Sequence, residues 1–164
     1  MKIPLVFVFP GQGSQSAGMG KELYDNFPEA RTLFEKAAQV LGERLLKVCF
    51  EGPEEELKKT SIAQPAIFTV SAAACEVLKN KKILPGVVAG HSLGEYTALY
   101  AAGVASFEEL LKMVAGRGRL MEEASPKDGA MVAIIGLGVE KIQQLLTSLG
   151  EGVEIGRASC RERV

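Results

Sequence analysis

The sequence predicts an α/β protein built on a parallel sheet, and three observations carry that prediction. Ile3 to Phe9 is an unbroken apolar run, the pattern of a parallel strand covered on both faces and lying centrally in its sheet. A second β-branched region, Ile83 to Ala89, is entered at Pro85-Gly86 and runs through Gly90 into a helix-compatible segment that opens at Leu93. Between the two strands, residues 20 to 82 read as mostly helical.

The first strand ends at Pro10-Gly11-Gln12-Gly13-Ser14-Gln15-Ser16, and open α/β sheets place their ligands at that carboxyl end. Gln12 offers a neutral amide donor on a glycine-flanked loop; the plainer reading is a solvated turn glutamine. Gly18 and Gly20 complete neither a dinucleotide fingerprint nor a phosphate-binding loop, so a nucleotide site is not expected. Pro28 opens a helix with Leu33, Phe34, Ala37, Val40 and Leu41 on one face and Gly42 beyond its end. Pro53 to Lys59 places acids before bases, as a helix dipole prefers. Gln64-Pro65 opens a third helix, too apolar from Ala66 to Leu78 for anything but burial; Gln64 at its start either faces the cleft or simply caps the helix.

Gly90-His91-Ser92-Leu93-Gly94 then has the G-x-S-x-G form of a nucleophile elbow, a sharp strand-to-helix turn that exposes a serine hydroxyl. At this glycine content the pattern arises by chance roughly 0.1 times in such a chain, so the strand before it and the helix after it carry the weight. A side chain at Gly90 or Gly94 would push strand and helix apart. Ser92 would sit at a helix N-terminus, whose free N–H groups suit an oxyanion.

The helix after the elbow runs from Leu93 to Ala102 and closes at Gly103. Ser106 and Glu109 form a capping box for the next, Phe107 to about Ala124. On it Arg117 and Met121 share a face. Gly116 and Gly118 flank the arginine at about 1 kcal/mol each relative to alanine, which implies a close backbone approach. Arg117 among apolar neighbours either snorkels to the surface or awaits an anion.

Pro126 to Gly129 is a turn and a subdomain boundary. Ala130 to Ile135 reads as a strand, Val139 to Leu149 as a helix ended by Gly150, and Val153 to Ile155 as the start of another strand. The last nine residues switch to a polar, arginine-rich composition without periodicity. The expected organisation is a core over 1–125, a smaller unit over 126–155, and a non-native tail over 156–164.

Composition narrows the function. The chain is 47% hydrophobic and 24% charged with a net charge of −1, a globular balance with no basic stripe for nucleic acid or an anionic membrane. Three cysteines without C-x-x-C spacing argue against a disulfide framework or a zinc site and suit a reducing cytoplasm. The N-terminal apolar run contains Pro4 and lacks a small-residue cleavage site, so it reads as a strand rather than a signal peptide. No run reaches 18 consecutive apolar residues, and no membrane span is expected.

Four segments occurring in order, Phe7 to Gln15, Gln64-Pro65-Ala66, Gly90 to Tyr96 and Gly116 to Met121, together closely resemble the malonyl-CoA:acyl carrier protein transacylase family, over residues 1 to about 155. The resemblance implies an α/β-hydrolase-like core interrupted by a ferredoxin-like small subdomain, which residues 126–155 would begin. It implies ping-pong transfer of malonyl from malonyl-CoA to the phosphopantetheine thiol of acyl carrier protein in fatty acid synthesis, with no cofactor and no metal. By the same resemblance Ser92 is the nucleophile, Leu93 and Gln12 hold the oxyanion, Arg117 grips the malonyl carboxylate, and Gln64 and Met121 belong to the same site. The only histidine, His91, adjoins Ser92 and leaves the strand on the opposite face, so it is poorly placed as a base. The family draws its histidine from a motif beyond residue 164. The expectation is therefore a truncated enzyme with impaired transfer. Two readings compete: a serine esterase or lipase, which would lay down several strands before its elbow and carry an HGGG-type loop, and a non-catalytic acyl-binding fragment.

Overall fold

Two short parallel strands present the loops that the sequence marks for chemistry. The computed structural model describes residues 4–125 and 134–149, which form parts of two compact units, one ending at Pro126 and one beginning at Lys127. In the first unit the elements in chain order are β1 (Val6–Phe9), α1 (Lys21–Asn26), α2 (Pro28–Leu41), α3 (Arg44–Glu51), α4 (Glu54–Leu57), α5 (Thr60–Asn80), β2 (Val87–Gly90), α6 (Gly94–Ala101) and α7 (Phe107–Ala124). The strands pair in parallel with Val6 opposite Val87 and Phe9 opposite Gly90, so both end at the same edge, where the Gln12 loop and the elbow begin.

The expected cover on both faces of the first strand is corrected by the burial pattern. Phe9 is 8% exposed while Val8, pointing the other way, is 75% exposed, and Val6 and Val87 share its open face. Among the described residues the sheet has two strands and α6 packs against both. An apolar run that is uniform on both sides carries no mark of which face the helices take.

The core lies among the helices. α5 is its centre, packed chiefly on α7 and α2, with Phe34, Phe68, Leu57, Leu110, Leu111 and Val114 all fully buried. The rings of Phe68 and Phe107 stack with centroids 5.4 Å apart, and Phe107 meets Tyr100 edge-on at 6.0 Å. α5 is long and apolar enough to cross a bilayer by length and composition alone, but here it is the core helix, with Gln64 and Thr69 buried beside its apolar residues.

α2 follows its sequence closely: proline in the first turn, a buried face of Ala30, Leu33, Phe34, Ala37 and Ala38, and a stop at Gly42. α7 begins with the expected capping box, in which the Ser106 hydroxyl accepts from the Glu109 backbone N–H and the Glu109 carboxylate accepts from the Ser106 backbone N–H at 2.9 Å. α5 departs from expectation. It starts at Thr60 rather than at Gln64-Pro65 and carries Pro65 inside it. A proline there removes one rung, the bond to the Ser61 carbonyl, and the turn before it is held by contacts from α7.

In the second unit α8 (Val139–Leu149) is an amphipathic helix over the residues where the sequence places one. The expected strand over 130–135 lies largely, and those over 153–155 and the tail over 156–164 lie wholly, outside the described residues.

Candidate active site

The elbow is held by backbone contact that only glycine permits. A Cβ on Gly90 would lie 2.1 Å from the carbonyl carbon of Gly94, and one on Gly94 would lie 2.2 Å from the carbonyl oxygen of Phe9. Strand β1, strand β2 and helix α6 thus meet with no side chain between them. Ser92 takes φ 53° in the left-handed region, which a non-glycine residue occupies at a cost of about 1–2 kcal/mol. That turn carries the chain from β2 into α6, and Leu93 follows as the N-cap residue of the helix, fully buried. No acceptor among the described residues takes the backbone N–H of Leu93 or that of Gln12. Two backbone donors are thus left unpaired, that of Leu93 next to the serine at the positive end of the α6 dipole and that of Gln12 in the loop after β1.

Arg117 reaches this hydroxyl from α7, donating through Nη2 to Ser92 Oγ at 3.0 Å and through Nη1 to Gln64 Oε1 at 2.7 Å. Its guanidinium carbon lies 6.0 Å from the centre of the Tyr96 ring. It does not snorkel outward: the side chain is half-buried and its guanidinium is bonded to Ser92 and Gln64.

Arg117 also sets the polarity of everything behind it. A guanidinium only donates, so Gln64 must turn its oxygen toward Arg117 and its Nε2 outward. That Nε2 reaches Gln12 Oε1 at 3.2 Å and Met121 Sδ at 3.2 Å. Gln12 in turn has only its amide nitrogen left, which donates to Thr60 Oγ1 at 3.1 Å. Arg117 is the source of this network, donating to Ser92 on one side and on the other to Gln64, which donates to Gln12 and it in turn to Thr60, with Gln64 fully buried. The side-chain amide of Gln12, expected to serve a reacting centre, is tethered to Thr60 by one N–H, and its backbone N–H has no acceptor among the described residues.

The two glycines around Arg117 differ. A Cβ on Gly118 would sit 2.8 Å from the Thr60 carbonyl oxygen, so α5 and α7 touch there, whereas one on Gly116 would meet nothing within 4 Å. The close approach expected of both occurs at one. Thr60 and Tyr96 were not singled out by sequence. Thr60 stands four residues before Gln64 on the same helix face, a relation visible only once the helix starts at residue 60.

His91 is exposed and adjoins the Gln12 loop: a Cβ on Gly11 would lie 2.9 Å from its Nδ1. Among the described residues the side-chain partner of Ser92 Oγ is Arg117, and no imidazole or carboxylate reaches it. Replacing His91 by glutamine is therefore expected to change the rate of Ser92 acylation by less than about threefold, against the hundredfold or more that loss of a general base produces; time-resolved mass measurement checks it. The two described thiols are poor nucleophiles. Burial pushes the Cys49 thiol up to about 12 and raises that of Cys75, leaving both protonated at neutral pH. No cluster of metal-ligating side chains occurs among the described residues.

A small parallel sheet and a left-handed serine at a strand-to-helix turn define an α/β protein with a sharp, glycine-packed serine turn at the end of its sheet. Residues 6–149 match the family model described as acyl transferase domain, and the chain belongs to that family. It is 46% identical over 160 residues to the malonyl CoA-acyl carrier protein transacylase of Bacillus subtilis strain 168, covering 95% of this chain and 50% of that protein. The solved structure of the malonyl CoA-acyl carrier protein transacylase from Coxiella burnetii superposes with a TM-score of 0.83 at 42% identity, over 91% of this chain and 48% of the other. A malonyl-transacylase solved in complex with a type II polyketide acyl-carrier protein gives a TM-score of 0.82 at 44% identity, over 90% and 48%. The chain spans about half the length of the curated relatives it matches.

Proposed function

We propose that this chain carries the nucleophile and the carboxylate clamp of a malonyl-CoA:acyl carrier protein transacylase. The observation that carries the reading is the single contact between Arg117 and Ser92 Oγ at 3.0 Å, which puts a fixed cation beside a candidate nucleophile. A malonyl thioester has its free carboxylate two bonds from the reacting carbonyl. A guanidinium fork holding that carboxylate leaves the carbonyl within reach of the serine.

In the first half-reaction Ser92 Oγ attacks the thioester carbonyl, the carbon–sulfur bond breaks, and coenzyme A leaves as its thiol with the proton lost by the serine. The backbone N–H groups of Leu93 and Gln12 donate to the developing oxyanion, each worth about 3 kcal/mol of barrier. In the second, the phosphopantetheine thiol of acyl carrier protein attacks the malonyl ester and Ser92 recovers its proton. Every covalent step uses the substrates and this serine, and no cofactor or metal enters. Fatty acid or polyketide synthesis is the pathway class that the relatives' names support. Free, buried thiols at Cys49 and Cys75 support a reducing, cytoplasmic setting.

Intact mass after incubation with malonyl-CoA tests the reading. One malonyl group is expected on the peptide containing Ser92, and none on Ser92→Ala. Single-turnover acylation is the suitable readout, because among the described residues no imidazole hydrogen-bonds Ser92 Oγ. A wild-type chain that gains no mass, or a Ser92→Ala chain that gains the same mass, overturns it.

A further inference from the structure

The first turn of α5 is short of internal bonds. Its N-cap residue, Lys59, makes no side-chain cap, and Pro65 cannot donate to the Ser61 carbonyl. This same turn anchors the Gln12 side chain twice, through Thr60 Oγ1 directly and through Gln64 one turn further on. Beyond the bonds from the Ile62 and Ala63 N–H groups to the Lys59 carbonyl, two contacts from α7 hold it. The Glu122 carboxylate accepts the otherwise orphaned backbone N–H of Ser61 at 2.8 Å, and Gly118 lets the Thr60 carbonyl close against the helix. Glu122 is therefore an N-cap supplied from 61 residues away in the chain. It lies on the same helix as Arg117, five positions on.

We infer that Glu122 is a positioning residue: by capping α5 from α7 it sets where Thr60 holds Gln12, and so where the Gln12 backbone N–H stands relative to Ser92 and Arg117. The inference rests on the proposed acylation of Ser92 for its kinetic consequence. Glu122 touches neither nucleophile nor clamp, so its loss weakens the oxyanion site while leaving substrate capture alone. The Ser61 hydroxyl, and then its N–H, hold the Glu122 carboxyl below the usual carboxylate range, in keeping with an ionised cap.

The test compares wild type, Glu122→Ala, Glu122→Gln, Thr60→Val and the Thr60→Val/Glu122→Ala double variant, each titrated with malonyl-CoA and followed by intact mass. Glu122→Ala should lower the maximal acylation rate about fivefold, the scale of a lost N-cap, with the half-saturating concentration within about twofold of wild type. Glu122→Gln, whose amide oxygen can still accept, should recover most of that loss. Thr60→Val should fall by a similar amount, and the double variant should fall no further than either alone. In parallel, hydrogen exchange at the Ser61 amide should accelerate several-fold in Glu122→Ala and not in Glu122→Gln, and the Gln12 side-chain amide resonances should shift in Glu122→Ala and Thr60→Val alike.

An Ala variant that acylates at the wild-type rate, a Gln variant as slow as Ala, additive losses in the double variant, or a loss confined to half-saturation overturns the inference. If wild type forms no adduct, the proposed function fails by itself; unchanged exchange at Ser61 or unmoved Gln12 resonances in Glu122→Ala then still overturns the positioning role, and the expected changes support it.

Discussion

Arg117→Ala slows acylation of Ser92 by malonyl-CoA roughly a hundredfold, and Arg117→Lys by about tenfold. Removing one partner of a desolvated charged pair costs about 3 kcal/mol, which is two decades of rate if the carboxylate is held only by that guanidinium. Lysine keeps the charge but not the fork that serves Ser92 and Gln64 from two separate nitrogens. The alanine variant also leaves the buried Gln64 Oε1 without a donor, at about 1–3 kcal/mol of stability. The rate is therefore read by single-turnover mass measurement well below the melting temperature of the variant, with melting followed separately. A rate within threefold of wild type would remove Arg117 from the site.

Gly94→Ala prevents folding of the first unit. The added methyl would stand 2.2 Å from the Phe9 carbonyl oxygen and 2.8 Å from that of Pro10, both backbone atoms that no rotamer change can move aside. Relief requires β1 and α6 to separate, which opens the elbow and strips cover from Phe9. A destabilisation above about 4 kcal/mol is expected, enough to abolish the cooperative thermal transition of a marginally stable chain. Gly116→Ala serves as the contrast, because open space surrounds that position and a helical alanine gains about 1 kcal/mol over glycine. Circular dichroism melting of the two variants beside wild type decides between them, and a normal transition for Gly94→Ala would contradict the packing described here.

The features that were legible in the sequence are those whose physics is local. The elbow is legible because a β-branched run, two glycines and a helix start lie within a dozen residues. The capping box at Ser106 and Glu109 and the ends of α2 are legible because a side chain and its backbone partner are three or four residues apart. Arg117 was visible as an anomaly, a cation between two glycines on an apolar helix. Its partners follow from the family resemblance and not from local spacing, because Gln64 and Ser92 lie 53 and 25 residues away.

The start of α5 at Thr60, a turn before Gln64-Pro65, is hidden from the sequence for a related reason. Pro65 favours a helix beginning, and the cap that allows the helix to begin a turn earlier comes from Glu122 on another helix. Likewise Gly116 and Gly118 are equivalent in sequence, and only the side on which α5 lies makes one of them a contact point. The open face of β1 belongs to the same class, since an unbroken apolar run fits cover on either side or both.

The central claim is that Ser92 and Arg117 act on one ligand, the first on its carbonyl and the second on its carboxylate. It is tested most directly by the ratio of Ser92 acylation rates with malonyl-CoA and with acetyl-CoA, measured in wild type and in Arg117→Ala. Wild type should favour malonyl by about a hundredfold, and the ratio should collapse to within a few-fold when the guanidinium is removed. A malonyl preference that survives Arg117→Ala would show that the carboxylate is recognised elsewhere.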